Sequence, residues 1–598
     1  MNARNSIGTV MAPVRSWWSG VKPSSGAELR SEAVAGSSVA IGSVPDGMAA
    51  SVLAGVNPVY GLYASFAGPL VGGLSSSTQR MIVTTTGAAA LAAGSALSGV
   101  SPADRPGALF LLTVVAGVAM LLAGAFKLGR YTRFVSQSVM TGFLTGVAVN
   151  IVFGQLDDLT GAPSEGGTAI ERAINVLVNP SEWYLPTLVL GLSALAIVAW
   201  VKPTRFGSYA ALLALIGPTL VLLLTGTAGV ATVNDVGEIP TGVPLPQLPA
   251  LGDLSFSLVT GALAVAAIVL VQGSGVAESS PNLDGSRSDP NRDFIAQGAA
   301  NVAAGFFQGQ PVGGSVGQTA LNVSSGALTR WAAVISGIWV LVILVVFSSA
   351  VGEVVMSSLA AVLIYAASRS IRFAQIKVVW RSGINSQIAV CITFFSTLLL
   401  PIAAAVGLGV IVSLLLQLNQ GIADLRVVEL RRRDDGRFEE LPAPQVAPDR
   451  QVVVIDAYGS LLYAGARTLQ LRLPDPSGST QPVVVLRLRG RLSLGATFAA
   501  VLADYVDRLD RVGGHLILSG VQSPMLAKIE RTSSRRVAGA IEVYEASEVV
   551  GESTELAIAA GERWLAEHPP VAANVTNVAV AENDNGATPD DQPDVTPS

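Results

Sequence analysis

Uncharged apolar windows, separated by short polar breaks, follow one another from Ala33 to Ala423. Windows at 107–126, 134–156, 183–201, 206–234, 254–277, 331–352 and 354–368 are close to the ~20 residues that span a bilayer as a helix. The stretch 382–423 carries no charge and is too long for one crossing; Pro401 and Gly407 divide it. Between Ala33 and Gly99 the pattern fits about three crossings, broken at Asn57-Pro58 and Gln79-Arg80. Two segments, 82–98 and 311–328, are short and interrupted by Gly, Ser or Pro. The whole pattern predicts roughly 12–14 crossings.

After Arg433 the period changes. A polar, Pro-containing stretch precedes Gln451, and then short Val- and Leu-rich runs alternate with amphipathic ones. Residues 452–455, 483–488 and 515–518 read as buried strands. Phe498, Val501, Leu502, Tyr505, Val506, Leu509 and Val512 share one helical face, and 553–567 is another amphipathic helix. This predicts an N-terminal segment 1–30, a membrane domain 31–425, a linker 426–449, an α/β domain 450–567 and a disordered acidic tail 568–598.

Composition narrows the class. Half of the 598 residues are hydrophobic, only 13% are charged, and the mean hydropathy is +0.54. Soluble proteins carry about 25% charged residues, so the deficit indicates a polytopic membrane protein. The net charge of −5 gives no basic footprint for nucleic acid. The single Cys391 excludes a disulfide framework, and the two histidines, His515 and His568, lie outside the membrane part. No metal cluster, P-loop or nucleophile–base pair appears, so neither a cofactor nor an enzyme is expected. Arg-rich, Lys-poor usage with abundant Ala, Gly and Val suggests a GC-rich bacterial source. Residues 1–30 are polar, with Trp17 and Trp18, and do not read as a signal peptide.

Basic loops around Lys127, Lys202, Arg287, Arg369–Arg381 and Arg426–Arg433 alternate with acidic ones around Asp157, Glu165, Asp235 and Glu238. The positive-inside rule then puts both termini in the cytoplasm. A bacterial plasma-membrane protein is the expectation.

Broken backbone at membrane depth is tolerated only where protein or a water-filled cavity satisfies it, and paired short segments point to a transport site. Here the pair is Thr84-Thr85-Thr86 and the run Pro311 to Gln318, which holds Gly314 and Ser315. Ser and Thr cap half-helix N-termini, and the amides left over can face an anion. The competing reading is small-residue packing between helices. Asp46, beside Pro45 where a helix break is expected, is an ionisable residue within a span and so a functional candidate. It could carry a proton, bind a cation, hydrogen-bond a solute or merely cap a helix. Gln272 and Gln318 are uncharged candidates that could also be interhelical glue. No Arg or Lys is evident in the core.

Two motifs carry a family resemblance. The segment Ala49-Ala50-Ser51-Val52-Leu53-Ala54-Gly55-Val56-Asn57-Pro58-Val59-Tyr60-Gly61-Leu62-Tyr63 resembles the signature of the SulP sulfate and anion permeases, and 289–301 resembles that family's Asn-x-Glu-Leu-x-x-x-Gly-x-x-Asn block. Residues 483–490 and 513–521 resemble a STAS domain. The resemblance implies about fourteen transmembrane segments as two inverted repeats of about seven, divided into core and gate domains, plus a cytoplasmic STAS domain. It puts the substrate between segments three and ten, with Asp46 on segment one and Gln272 on segment eight. The sequence departs from the family at four site positions. Gln272 stands where many bacterial members carry an acid, Gln318 where many carry Arg, and Asp46 where Gln is common. Thr84–Thr86 replaces Gly-Pro-Thr or Gly-Pro-Ser. Gly495 replaces an acid beside Thr497, which is near the family's phosphorylation position and is the regulatory candidate.

The expected function is secondary transport of a small anion, sulfate first, bicarbonate or a dicarboxylate next, with proton coupling at Asp46. An uncoupled anion channel and a nucleobase-type permease of the same fold are the alternatives. Expected partners are the anion, the lipid bilayer and, through a STAS domain that regulates or dimerises, a second copy of the chain.

Overall fold

In a computed structural model the described residues are 26–569, apart from 135, 164, 165, 167, 205, 237–243, 251, 253, 424, 460, 462, 491–495 and 527–540. Trp17, Trp18, Glu165, Glu238, Gly495 and the acidic tail from 570 onward lie outside them. The chain divides into two units, 1–416 and 417–598.

The first unit is helical. Its principal elements are α1 (Gly26–Leu53), α2 (Val59–Ser75), β1 (Val83–Thr85), α3 (Gly87–Ala96), α4 (Arg105–Ala125), α5 (Gln137–Gly154), α6 (Leu185–Val201) and α7 (Ala210–Thr225). Then follow α8 (Phe256–Ser279), α9 (Pro290–Phe306), β2 (Val312–Gly314), α10 (Val316–Ser324), α11 (Trp331–Val346), α12 (Met356–Ser370), α13 (Ile384–Leu399) and the start of α14 (Ile402–Ala423), whose last residues fall in the second unit. The order helix, helix, strand, short helix thus occurs twice. Among the described residues five stretches are long and apolar enough to cross a membrane: Arg105–Ala125, Gln137–Thr160, Gly207–Thr225, Phe256–Ser279 and Met356–Arg381. Shorter apolar helices such as α3, α6, α11 and α13 accompany them.

Two packing groups form. In one, α4 packs on α8 and α9, and α11 packs on α1 and α2; in the other, α5 packs on α12 and α13, and α6 on α7 and α12. Small residues permit the closest crossings. A methyl on Gly61 would stand 1.7 Å from the Gly47 carbonyl oxygen, and methyls on Gly117 and Gly298 would each meet the other's carbonyl at 2.7–2.8 Å. With no hydrophobic drive between helices in lipid, such close backbone approach is a main source of attraction.

One expectation changes here. Pro45 does not break α1, which is continuous from Gly26 to Leu53. A proline inside a helix removes one backbone hydrogen bond, and in a membrane the surrounding helices can compensate. Asp46 therefore projects from mid-helix rather than from a terminus.

The second unit holds a six-stranded sheet, ordered β4-β3-β5-β6-β7-β8: β3 (Arg426–Arg432), β4 (Phe438–Pro442), β5 (Val452–Tyr458), β6 (Val483–Arg487), β7 (His515–Val521) and β8 (Ile541–Glu545). Strands β5 to β8 pair in parallel, whereas β3 is antiparallel to both its neighbours. Helices α15 (Tyr463–Arg472) and α16 (Ala496–Arg511) line one face, and α17 (Glu552–Glu567) packs against β6 and β7 from the other. The predicted face of α16 is the buried one, from Phe498 to Leu509. The segment read as a linker is not one: it supplies β3 and β4, the charged edge of the sheet. Edge strands carry charge to block pairing with other chains, and that disguised them.

The Gly47–Gly61 contact is directly testable. Gly61→Ala should destabilise the protein by at least about 1–3 kcal/mol, the usual range for overpacking, read as a lower unfolding midpoint of the full-length protein in detergent. Gly99→Ala, which meets nothing within 4 Å, should leave the midpoint unchanged.

Candidate functional site

The site is built where the chain leaves helical geometry twice. Strands β1 and β2 pair antiparallel, with Val83 opposite Gly314, Thr84 opposite Gly313 and Thr85 opposite Val312. Ser315 N donates to Ile82 O at 2.9 Å and extends the pairing. Because the strands run in opposite directions, α3 and α10 leave from opposite ends of the pair. Ser315 lies opposite Ile82, so the two caps, Thr86 and Ser315, are four strand steps apart along the pair, roughly 13 Å by strand rise.

Each half-helix is capped by its own hydroxyl. Thr86 Oγ1 accepts from Ala89 N at 3.2 Å, and Ser315 Oγ accepts from Gln318 N at 3.3 Å. The caps leave the earlier first-turn amides, those of Gly87, Ala88, Val316 and Gly317, for another acceptor. Gly87 and Val316 are half-buried and Gly317 is exposed, although their neighbours Thr86, Ala88, Ser315 and Gln318 are buried. A Cβ on Gly317 would meet nothing within 4 Å. The α10 start therefore opens onto free space, whereas at the α3 start a Cβ on Gly87 would meet Ile151 Cδ1 at 2.7 Å.

Around them stand the residues singled out by sequence. Asp46 on α1 is half-buried and accepts a hydrogen bond from Gln318 Nε2 at 2.5 Å. Gln272 on α8 is buried, and its Nε2 donates to Gly314 O at 3.2 Å. Thr84 and Thr85 are buried in β1; Thr84 Oγ1 donates to Ser65 Oγ at 3.4 Å, and Ser65 and Thr85 share a 3.5 Å hydroxyl contact. Asp46, Thr84, Thr85, Thr86, Gln272, Gly314, Ser315 and Gln318 thus belong to one cluster of packed elements. Thr497 does not; it lies half-buried in the first turn of α16, in the other unit.

The sequence reading missed the residues that hold the cluster together. Asn301 brackets Val312 with two arms: Nδ2 donates to Val312 O at 2.7 Å, and Oδ1 accepts from Val312 N at 2.9 Å. This side-chain amide imitates a strand neighbour. Gln297 Oε1 accepts from Gly314 N at 3.0 Å. Asp293 receives the turn before β1: Ser76 Oγ, Ser77 N, Ser77 Oγ and Thr78 N donate to Oδ1 at 2.6–3.1 Å, and Thr78 Oγ1 donates to Oδ2 at 2.6 Å. Asp293, Gln297 and Asn301 are all buried. Their spacing of four is a polar stripe along one face of α9, and a polar stripe in an apolar helix was the available signal. Glu32 was missed as well. It is fully buried on α1 and accepts from Leu328 N, Thr329 N and Ala332 N, each at 2.8 Å.

Arginines are not absent from the membrane unit. Arg80, three residues before β1, and Arg330 are buried at 9% exposure. They donate to the carbonyls of Pro281 and Leu74, not to the half-helix starts. Among the described residues no group of three or more His, Cys, Asp or Glu could hold a metal ion.

Two substitutions separate scaffold from site. Asn301→Ala orphans both main-chain groups of Val312, at about 1–3 kcal/mol each, and should lower the unfolding midpoint together with transport. Gly317→Ala adds a methyl to open space in a helix and should leave the midpoint unchanged or slightly raised, yet reduce solute uptake several-fold. Both are read by thermal unfolding and proteoliposome uptake.

Comparison with known proteins fits this geometry. The sulfate permease family model matches residues 29–414. A Bacillus subtilis protein named as a sulfate transporter, YvdB, is 27% identical over 521 residues, covering 84% of this chain and 94% of its own. A murine solute carrier 26 family member A9 structure, described as an anion transporter in the inward-facing state, superposes with a TM-score of 0.78 at 18% identity, covering 94% of this chain and 96% of that one. The transmembrane domain of a cyanobacterial bicarbonate transporter, BicA, gives a TM-score of 0.55 at 21% identity, over 65% of this chain and 97% of that one. The C-terminal sheet and helices are consistent with a STAS domain, and the homologues are transporters rather than enzymes. The chain belongs to the sulfate permease family.

Proposed function

We propose that the protein is a secondary active carrier of small inorganic oxyanions in a bacterial plasma membrane. The anion is held between the N-termini of α3 and α10. The observation that carries this reading is the pair of capped half-helices with four first-turn amides left over, the α10 start opening onto free space at Gly317. Helix N-termini with free amides bind anions without a cationic side chain. The two packing groups act as core and gate, moving against each other about the site. The twice-repeated element order supports descent from an inverted repeat. Both termini are cytoplasmic on this reading, and the STAS domain regulates transport, with Thr497 as a modification site and a second copy of the chain as the partner.

Asp46 is the proposed coupling group. It is the carboxylate hydrogen-bonded to the α10 first turn, and a fixed negative charge there would oppose an entering anion. A proton on Asp46 removes that opposition, so anion and proton enter together.

The test is uptake into proteoliposomes with and without an imposed pH gradient. The native protein should accumulate anion against its concentration gradient when the outside is acidic. Asp46→Asn should lose at least about tenfold of that driven accumulation, as expected when about 1.4 kcal/mol or more of coupling disappears, while keeping anion exchange. Driven accumulation intact in Asp46→Asn would sink the coupling role, and native protein that only equilibrates anion would make it an uncoupled channel.

A further inference from the structure

The geometry points to a docking surface for anionic phospholipid headgroups on the helix Phe373–Arg381, which joins α12 to α13. With the turn before it, this helix presents four cationic and two aromatic side chains. It carries none of the residues assigned to the transport site, so the inference stands apart from the choice of solute.

The sequence sets the charge. From Val354 to Ala423 it holds no Asp or Glu, and Arg369, Arg372, Lys377 and Arg381 are its only Lys or Arg. All four are exposed, and none forms an ion pair among the described residues. The backbone sets the direction. Helix α12 stops at Ser370, Ile371 and Arg372 take non-helical angles, and the chain then re-enters a helix of nine residues. Its last carbonyls are taken: Ser382 Oγ donates to Val378 O at 2.9 Å, and Gln387 Nε2 donates to Trp380 O at 2.8 Å. The helix packs on α13 and α5. It is thus a fixed element, not a fraying end of α12.

Val379 is the buried residue of this helix and marks the face turned to the protein. Lys377 and Arg381 lie two residues to either side of it, which at about 100° per residue puts both on the opposite face. Phe373 and Trp380 are seven apart and share one flank; they are 73% and 49% exposed, and Ile384, which opens α13, is 66% exposed. Water is a poor solvent for that flank, and the hydrocarbon core is a poor one for Lys377 and Arg381. The headgroup layer suits both, with aromatic rings at the boundary and basic heads among the phosphates. Unpaired cations at a membrane surface favour anionic lipid over neutral lipid, and no described carboxylate answers these four. On the proposed orientation the surface is the cytoplasmic leaflet. Because the helix packs on α13 and α5, the headgroup contact seats that packing group in the bilayer.

The experiment places a fluorophore on the exposed Ala374, as Ala374→Cys in a Cys391→Ala background of the full-length protein, in phosphatidylcholine vesicles. Quenching is read with phosphatidylglycerol or phosphatidylcholine spin-labelled at the headgroup. With all four bases in place, phosphatidylglycerol should quench at a mole fraction at least about fivefold lower than phosphatidylcholine, the gain expected of a single cation at an anionic surface. Arg372→Gln, Lys377→Gln and Arg381→Gln combined should bring the two lipids within about twofold of each other. The exchange Arg372→Lys, Lys377→Arg and Arg381→Lys should keep the preference, because charge rather than side-chain shape is read. Should the triple Gln variant fail to fold, Lys377→Gln alone should weaken the preference severalfold. Equal quenching by the two lipids, or a preference that the Gln variants leave unmoved, would overturn the inference. So would a preference abolished by soluble glycerol phosphate, which would assign the surface to a free phosphate ester. Quenching by neither lipid would overturn it too, by showing the face covered by protein, whether a second copy or the second unit.

Discussion

Two three-residue strands crossing inside a helical membrane domain create a demand that lipid cannot meet. Every amide and carbonyl in them needs a protein partner, since an unsatisfied group at that depth costs several kcal/mol. Most of the site follows from how that demand is met. Strands β1 and β2 satisfy each other along one edge. On the far edge of β2 the neighbour is not a strand but α9, whose Asn301 and Gln297 take over the backbone groups of Val312 and Gly314. Four residues before Gln297, Asp293 collects the turn that feeds β1. One helix face thus fixes both broken segments, and the half-helix starts are placed as a consequence.

The close packing serves the same end. For α9 to reach β2 while lying against α4, the two helices meet at glycines, Gly117 against Gly298 and Gly124 against the Asn291 carbonyl. For α2 to reach β1, Gly68 and Gly72 approach Val83. Larger residues at these places would move the strands, and with them the amides offered to a solute. The rigid part of the site is therefore its backbone. Its side-chain part is chiefly Asp46, Gln272 and Gln318, whose polarity sets charge and hydrogen-bond direction, with Gln272 also tied to the Gly314 carbonyl of β2.

Sequence revealed the breaks because glycine, serine and proline interrupt apolar runs only where the backbone has other partners, and so both broken segments and their Ser or Thr caps could be read in advance, though not the strand pairing between them. It concealed the supports. Asn301 and Gln297 sit in a helix whose polarity suggested a motif but not a structural job, since which backbone they would serve depends on tertiary pairing. Pro45 misled because local propensity predicts a break where α1, packed among neighbouring helices, runs on from Gly26 to Leu53. In the second unit, Val452, Val483 and His515 begin strands that apolar runs announced. Strands β3 and β4 were hidden because Arg426–Arg432 reads equally well as a cytoplasmic basic cluster.

The central claim is that the α3 and α10 starts form the anion's binding site. The single Cys391 allows a direct measurement. In a Cys391→Ala background, Gly317→Cys is labelled with a charged thiol reagent while phosphate or sulfate is titrated. The account predicts labelling from water and saturable protection by the transported anion, with Gly99→Cys labelled but unprotected. A Gly317→Cys labelling rate that no transported anion alters would contradict it.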